Sequence, residues 1–402
     1  MRVHFLGIGG SGTSAAAAIA QTQGFKVSGC DLNPHNEFTK VFKSEQLLTG
    51  HLPSHIGSGN VDILAVTPAI FSLDPNNPEL MEAKKRNIPI LTWQQFLGEY
   101  LIKDKFVIAV CGTHGKSTTT AMIAKLLNDA DLDTTAELGA IVPWWKANYH
   151  VGKGKYFVVE ADEFNDNFLH FKPDITVVTN IEMDHPEYFK DFKAVEKSFA
   201  KFKSQSKKVI DKANTKLIEF KLKIPGEFNI TNASLAFQVG LALGLDPKII
   251  RKSLESYSGI SRRFEYIGQY QGAKVYSDFG HHPTEIKVTI EAARQKFPNN
   301  RILLIFQPHM FSRTKALFDN FVEIFKDLPV DGIIILDIYP SREIDTGLIN
   351  SEQLVKAINK NNVYYVKSDS IKEELRQYSK PDDILFFMGA GDIDKLARKL
   401  VV

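Results

Sequence analysis

The run Gly112-Thr113-His114-Gly115-Lys116-Ser117-Thr118 stands between an apolar stretch, Phe106 to Val110, and a helical pattern from Ser117 to Asn128. Phosphate oxygens are held by backbone N–H groups that close around them, and glycine permits both the close approach and the positive φ this needs. The start of the following helix contributes a positive end, Lys116 a mobile cation, and the Ser117 hydroxyl a ligand for Mg2+. The segment reads as a cradle for nucleotide phosphates. Its spacing departs from the common phosphate-loop pattern, because Val110 and not glycine stands five positions before Gly115.

A second glycine turn, Gly7-Ile8-Gly9-Gly10-Ser11-Gly12, follows the first apolar run, and Asp31 closes the next one. That arrangement suits a pyrophosphate on a helix N-terminus with an acidic residue near a ribose or a neighbouring hydroxyl. NAD and other nucleoside diphosphates fit it equally. Two further clusters, Glu160-Ala161-Asp162-Glu163 and Asp184-His185, come after the runs Tyr156 to Val159 and Ile175 to Thr179. Ligands in parallel sheets gather at the carboxyl ends of strands, so both clusters are expected in the crevice of the phosphate loop, where carboxylate oxygen and imidazole nitrogen serve Mg2+. Near the C-terminal end, Arg262-Arg263, Asp278 through Glu285 with His281 and His282, and Gln307-Pro308-His309 through Arg313 lie in loops or at strand ends. Binding groups concentrate there, but surface ion pairs and a helix start at Pro283 account for these residues equally well.

Short β-branched runs alternate with amphipathic stretches throughout, which predicts an α/β fold with parallel sheets covered by helices. Three bouts are visible. The first has strands at Val3 to Leu6, Lys26 to Asp31 and Asp62 to Thr67, with helices at Ser14 to Gln23 and Glu79 to Lys85. Lys103, Asp104 and Lys105 read as a linker into the second bout, whose later helices are expected near Phe192 to Phe202, Ala233 to Leu243 and Pro247 to Ser256. The third opens on a hairpin-like stretch, Phe264 to Phe279. Strands follow at Ile302 to Phe306, Gly332 to Leu336, Val363 to Val366 and Ile384 to Phe387. A length of 402 residues accommodates two or three domains. Lys and Arg total 49 against 47 Asp and Glu, a formal charge of +2, which gives no footprint for a nucleic-acid partner. Two cysteines, Cys30 and Cys111, are too few for a disulfide framework or a zinc cluster and read as buried thiols. No stretch approaches the ~18 apolar residues of a membrane span, and the chain starts directly on a strand, so no membrane association and a cytoplasmic location are expected.

Taken together, the motifs resemble the Mur ligase family, ATP-dependent amide-forming enzymes of peptidoglycan precursor synthesis. The resemblance covers nearly the whole chain. It rests on Gly7–Gly12, Gly112–Thr118 with Thr119 and Thr120, Glu160–Glu163 with Phe168-Leu169-His170, Thr179-Asn180-Ile181-Glu182 with Asp184-His185, Asn229 and Asn232, Arg262-Arg263-Phe264, His281-His282-Pro283-Thr284-Glu285, Gln307-Pro308-His309 and Gly389-Ala390-Gly391. The His-His-Pro-Thr-Glu run and the Gln-Pro-His loop resemble the branch that joins L-alanine to UDP-N-acetylmuramate. The resemblance implies three domains: a Rossmann-like UDP-sugar domain over 1–103, a shortened phosphate-loop ATPase domain over 104–258, and a Rossmann-like amino-acid domain over 259–402. It implies ATP and Mg2+, with Lys116 on the phosphates, Ser117 and Glu160 on one Mg2+ and His185 on a second. Gly112 through Thr118, Asn229, Asn232 and Arg263 would border ATP, and Asp278 would reach it from the third domain. Gly9, Gly10, Ser11, Gly12 and Asp31 would hold the UDP-sugar, and His281 and Arg313 the amino acid. The implied chemistry is phosphorylation of a carboxylate to an acyl phosphate, followed by attack of an amine, in a monomer or homodimer serving wall biogenesis, cell shape and division.

Several departures mark this chain within that resemblance. Only 43 residues separate His185 from Asn229, which implies loss of a peripheral β subdomain. The family's Gly-Arg-His-Asn stretch reads Gly226-Glu227-Phe228-Asn229, and Met310 stands where several members carry a first arginine. Lys197 lies on the helix where other members carry a carbamylated lysine, and reads here as a solvated one. Competing readings are a sister ligase that attaches a preformed peptide to UDP-N-acetylmuramate in wall recycling, a non-catalytic nucleotide sensor, and an NAD-dependent dehydrogenase. The last leaves Gly112–Thr118 without a purpose.

Overall fold

A computed structural model describes residues 1–57, 60–185, 188–341 and 343–401. The first sheet is parallel throughout, with β1 (Arg2–Leu6), β2 (Lys26–Asp31), β3 (Leu47–Thr49), β4 (Ile63–Val66) and β5 (Ile90–Thr92) in the order β3-β2-β1-β4-β5. Strand order reverses beside β1, so the glycine turn that follows β1 sits at a switch point where ligands bind in such sheets. The helix Ser11–Thr22 opens on Gly10, which offers no side-chain acceptor to its first N–H groups.

The second sheet has the order β11-β10-β6-β9-β7-β8, from β6 (Phe106–Cys111), β7 (Thr135–Val142), β8 (Ala147–His150), β9 (Tyr156–Glu160), β10 (Ile175–Val178) and β11 (Lys208–Asp211). Its strands pair in parallel except β7 with β8, an antiparallel hairpin with an irregular register after Glu137. Between β11 and the helix Glu227–Ala242 the chain has a short turn of helix, Lys212–Asn214, and no strand among the described residues. Register places Val178 beside Cys111 and Glu160 beside Val110, so the phosphate loop, the acidic run and Thr179–Glu182 leave the same edge.

The third sheet, β12-β13-β17-β14-β15-β16, comprises β12 (Glu265–Tyr270), β13 (Ala273–Asp278), β14 (Ile302–Phe306), β15 (Gly332–Ile335), β16 (Val363–Tyr365) and β17 (Ile384–Met388). Only β12 runs antiparallel, as the hairpin-like stretch predicts. Along β14 every side chain is buried because helices cover both faces: Ile302, Leu304 and Phe306 enter one core, Leu303 and Ile305 the other. Asp278, Met388 and Phe306 are register neighbours, which sets the loops after β13, β17 and β14 side by side.

By compactness the chain divides into two units. One consists of Met1–Glu182, Lys193–Phe220 and Asn232–Glu255 and contains the first two sheets; the other consists of Met183–Phe192, Lys221–Thr231 and Ser256–Val402 and contains the third.

Candidate active site

In the first unit the phosphate loop is fixed by the strand end beside it. His114 N–H donates to Asn180 Oδ1 at 2.8 Å, Thr113 N–H to the Asn180 carbonyl at 3.2 Å, and Thr179 Oγ1 to the His114 carbonyl at 2.6 Å. Gly112 has φ +131°, and a Cβ there would stand 2.0 Å from Thr179 Oγ1. Gly115, at φ +81°, opens the helix Lys116–Asp129, and a Cβ on it would meet Asn232 Oδ1 at 2.7 Å. Asn232 therefore packs against the loop. Thr118 is buried in the first turn of the helix.

Lys116 Nζ lies 2.8 Å from Glu163 Oε2 and 3.7 Å from Asp162 Oδ1. Burial works against its charge, but the carboxylates of Glu163, Asp162 and Glu160 outweigh it and hold the ammonium above the ordinary lysine value. Lys116 is a permanent cation here. The Ser117 hydroxyl donates to Glu160 Oε1 at 3.0 Å, and Glu160 Oε2 accepts the Gly139 N–H at 2.8 Å. These are hard oxygen donors beside a phosphate loop, a set that suits Mg2+. Glu137, on β7, was not singled out from the sequence because its neighbours belong to distant segments. Burial, then the charges of Glu160 and Asp162, push its carboxyl well above the usual range, so it stays protonated.

At the other glycine turn, Gly9 N–H donates to Asp31 Oδ2 at 3.0 Å and Asn36 Nδ2 to the Gly9 carbonyl at 2.9 Å. Asp31 thus staples the turn; its other oxygen accepts the Asn33 N–H. Gly12 lies against Trp93, where a Cβ would stand 2.3 Å from the ring, and the Ser11 carbonyl accepts Asn148 Nδ2 at 2.8 Å.

The second unit gathers a different set. Arg313, 4% exposed, places Nη2 3.3 Å from Asp184 Oδ1 and Nη1 3.3 Å from His309 Nδ1. Its Nε has no hydrogen-bond partner among the described residues. Asp184 also accepts the His185 N–H at 2.7 Å, and His185 itself has φ +53°. Burial opposes ionisation of Asp184, yet His185, Arg313 and His281 overcome it and hold the carboxyl far below its usual value. His281 is pushed down to about 4 by burial and by Arg313, so its ring is neutral. Met310 is buried with φ +70° ahead of the helix Phe311–Ala316, which leaves Arg313 as the arginine of this loop.

Asp278 accepts the N–H groups of Phe264 at 2.8 Å and Gly280 at 2.7 Å; burial raises its pKa despite Arg263. Arg263 Nη1 stands 3.2 Å from Glu285 Oε1, and Arg262 and Arg263 both lie over the Phe279 ring. Asn229 is buried and donates to the Pro225 carbonyl at 2.6 Å. Lys197 is exposed, in keeping with a solvated lysine. Gln307 bridges Asp392 and the Ile393 N–H, tying the Gln-Pro-His loop to the Gly-Ala-Gly turn.

Family models match in three consecutive segments: residues 2–105 to the Mur ligase family catalytic domain, 110–210 to the Mur ligase middle domain and 262–391 to the Mur ligase glutamate ligase domain. A UDP-N-acetylmuramate–L-alanine ligase of Clostridium tetani is 36% identical, over 98% of this chain and 96% of its own length. The chain belongs to the Mur ligase family. With that family it is an ATP-dependent ligase. A second relative, the UDP-N-acetylmuramate–L-alanine ligase of Acetivibrio thermocellus, is 38% identical over 98% of this chain and 94% of its own. Both alignments are longer than the 402 residues here, 447 and 452, so these Mur ligases carry segments that this one lacks. Among solved structures, the UDP-N-acetylmuramate-alanine ligase MurC of Thermotoga maritima superimposes with a TM-score of 0.84 at 26% identity, over 100% of this chain and 98% of that one. A murein peptide ligase of Psychrobacter arcticus shares the fold with a TM-score of 0.71 at 21% identity, over 100% and 98%.

Proposed function

We propose that this Mur ligase joins the amine of L-alanine to the carboxylate of UDP-N-acetylmuramate, converting ATP to ADP and phosphate, as a step of peptidoglycan precursor synthesis. The observation that carries the reading is the phosphate loop with Lys116 held cationic and Ser117 paired to Glu160. The similarity to UDP-N-acetylmuramate–L-alanine ligases over nearly the whole chain supports the choice of substrates.

A carboxylate is a poor acyl donor because its leaving group would be oxide. Transfer of the γ-phosphoryl group onto that oxygen gives an acyl phosphate, whose leaving group is phosphate. Lys116 neutralises the charge that spreads over the transferring group. Ser117 and Glu160 would hold one Mg2+ and His185 a second; bound there, the ions supply charge neutralisation and in-line orientation. Gly112 through Thr118 close their N–H groups around the phosphates and Asn232 borders the adenine side; Asn229, Arg263 and Asp278 are the residues of the second unit that serve ATP. Gly9, Gly10, Ser11, Gly12 and Asp31 position the UDP-sugar. The unpartnered Nε–H of Arg313 is a donor ready for the carboxylate of the amino acid. Neutral His281 lies in the same group without adding a competing cation. Residues 1–103, 104–258 and 259–402 divide these tasks as three domains, in a monomer or homodimer.

Phosphate release tests the reading. With ATP, Mg2+ and UDP-N-acetylmuramate, release is expected to depend on L-alanine and to exceed that with glycine, L-serine or a wall tripeptide. Release with the tripeptide alone would move the chain to peptide recycling. ATP binding without turnover on any amine would make it a sensor.

A further inference from the structure

We propose that the first sheet holds a structural Zn2+ ion on His4 Nε2, Cys30 Sγ, His55 Nδ1 and a carboxylate oxygen of Glu79, a site the ligase reaction does not use. The four donors come from β1, β2, the helix Pro53–Gly57 and the first turn of the helix Pro78–Lys85, and all lie within 4.8 Å of one another. Glu79 Oε1 is 2.8 Å from His55 Nδ1, Oε2 is 3.2 Å from His4 Nε2, and Cys30 Sγ is 3.0 and 3.2 Å from the two oxygens. Zinc bonds of ~2.0 Å to nitrogen and oxygen and ~2.3 Å to sulfur set tetrahedral donors roughly 3.3–3.6 Å apart, inside the 4.8 Å that bounds every donor pair here.

The orientation of the donors strengthens the case. His4, Cys30 and Glu79 are fully buried. His4 Nδ1 lies 2.9 Å from Ser28 Oγ, and when it donates there the lone pair of Nε2 points at Glu79 Oε2. Nε2 makes no hydrogen bond in that position. Acceptor against acceptor in a dry interior is repulsive until a proton or a metal ion lies between them. Among the described residues the partners of Glu79 are three imidazoles, the Cys30 thiol and the Leu52 N–H, with no lysine or arginine. The serine is the outer partner that commonly fixes a ligating histidine. One sulfur, two imidazoles and one carboxylate select a borderline ion such as Zn2+ over Mg2+ or Ca2+, and four protein donors make a closed, structural site. As the Zn–S bond forms, the Cys30 proton passes to water.

Such an ion would clamp two strands and two helices directly behind the first glycine turn, since the Cys30 carbonyl accepts the N–H groups of Gly7 at 2.8 Å and Ile8 at 3.1 Å. The full chain is stripped with EDTA, dialysed into buffer with excess Mg2+ to cover oxygen sites, and titrated with Co2+. The expected result is one Co2+ per chain with thiolate-to-metal absorption in the near ultraviolet and tetrahedral bands in the visible, displaced by one equivalent of Zn2+ with a rise in Tm. Cys30→Ser should lose the thiolate band and Cys111→Ser should keep it. His55→Gln, at the better exposed edge of the site, should weaken Co2+ at least about 100-fold, which covers the case in which the Cys30 variant does not fold. A wild type without the thiolate band, or a band unchanged in Cys30→Ser or His55→Gln, would overturn the proposal.

Discussion

Glu137 shows how one side chain can couple a nucleotide site to pH. Its carboxyl is buried next to the charges of Glu160 and Asp162 and is held protonated well above the ordinary value of 4.5. The unfolded chain releases that proton near 4.5 while the folded chain keeps it, so this group's contribution is complete below that pH and is lost as pH rises toward the folded value. In that window the loss reaches ~1.4 kcal/mol per pH unit. Glu137→Gln has the same shape and nothing to ionise, so urea unfolding at pH 5 and pH 8 should show a smaller decline in the variant than in the wild type; parallel curves would contradict the assignment. Arg313 makes a separate case. Arg313→Lys keeps a cation near Asp184 but removes the Nε–H and the planar fork. Loss of one charged hydrogen bond, ~1.5–3 kcal/mol, predicts a KM for L-alanine about 10- to 100-fold higher with the KM for ATP little changed. An equal rise in both would assign Arg313 a role in holding the fold.

At the scale of elements, the phosphate loop is a strand end, a turn and a helix start that fit only if Gly112 has no side chain. Gly112→Ala would force a Cβ to 2.0 Å from Thr179 Oγ1 at φ +131°, whereas Gly50, at φ +76°, has nothing within 4 Å of the same atom. Gly50→Ala should therefore cost only the left-handed strain, ~1–2 kcal/mol, and leave nucleotide affinity intact. Gly112→Ala should abolish binding of a non-hydrolysable ATP analogue in calorimetry; wild-type affinity would mean that the loop does not seat phosphate. This loop, and the strands Phe106–Cys111 and Ile302–Phe306, were legible because their signal is continuous in the chain: a buried apolar run, then turn glycines, then a helical period. The edge strands Leu47–Thr49, Ile90–Thr92 and Lys208–Asp211 are too short to display a period. The hairpin of Thr135–Val142 with Ala147–His150 went unread because Glu137 and Gly139 break the apolar pattern, and Glu137 is buried only through its distant neighbours. The cluster around Glu79 escaped for the same reason. Its donors are about 25 residues apart in the chain and meet only once β1 and β2 pair.

Over the whole molecule, both glycine turns belong to one compact unit, while Arg313, His281 and Asp184 belong to the other. Ligands that bind a folded unit stabilise it by mass action, ~2.7 kcal/mol at a concentration of 100 Kd, which for a unit of this size is several degrees in Tm. ATP and UDP-N-acetylmuramate should therefore each raise the melting temperature of the unit that holds the two turns. Lys116 contacts Glu163 and Asp162 and lies far along the chain from Gly9 and Asp31, which are fastened to each other and to Asn36. Lys116→Ala should abolish turnover and the shift caused by ATP, because the cation that neutralises the phosphates is gone. The shift caused by the UDP-sugar should persist within about a degree, since its own turn is untouched. Differential scanning calorimetry with each ligand separately makes the comparison. If Lys116→Ala also loses the response to the UDP-sugar, the two nucleotides do not occupy separate turns, and the division of labour between the first and second sheets fails.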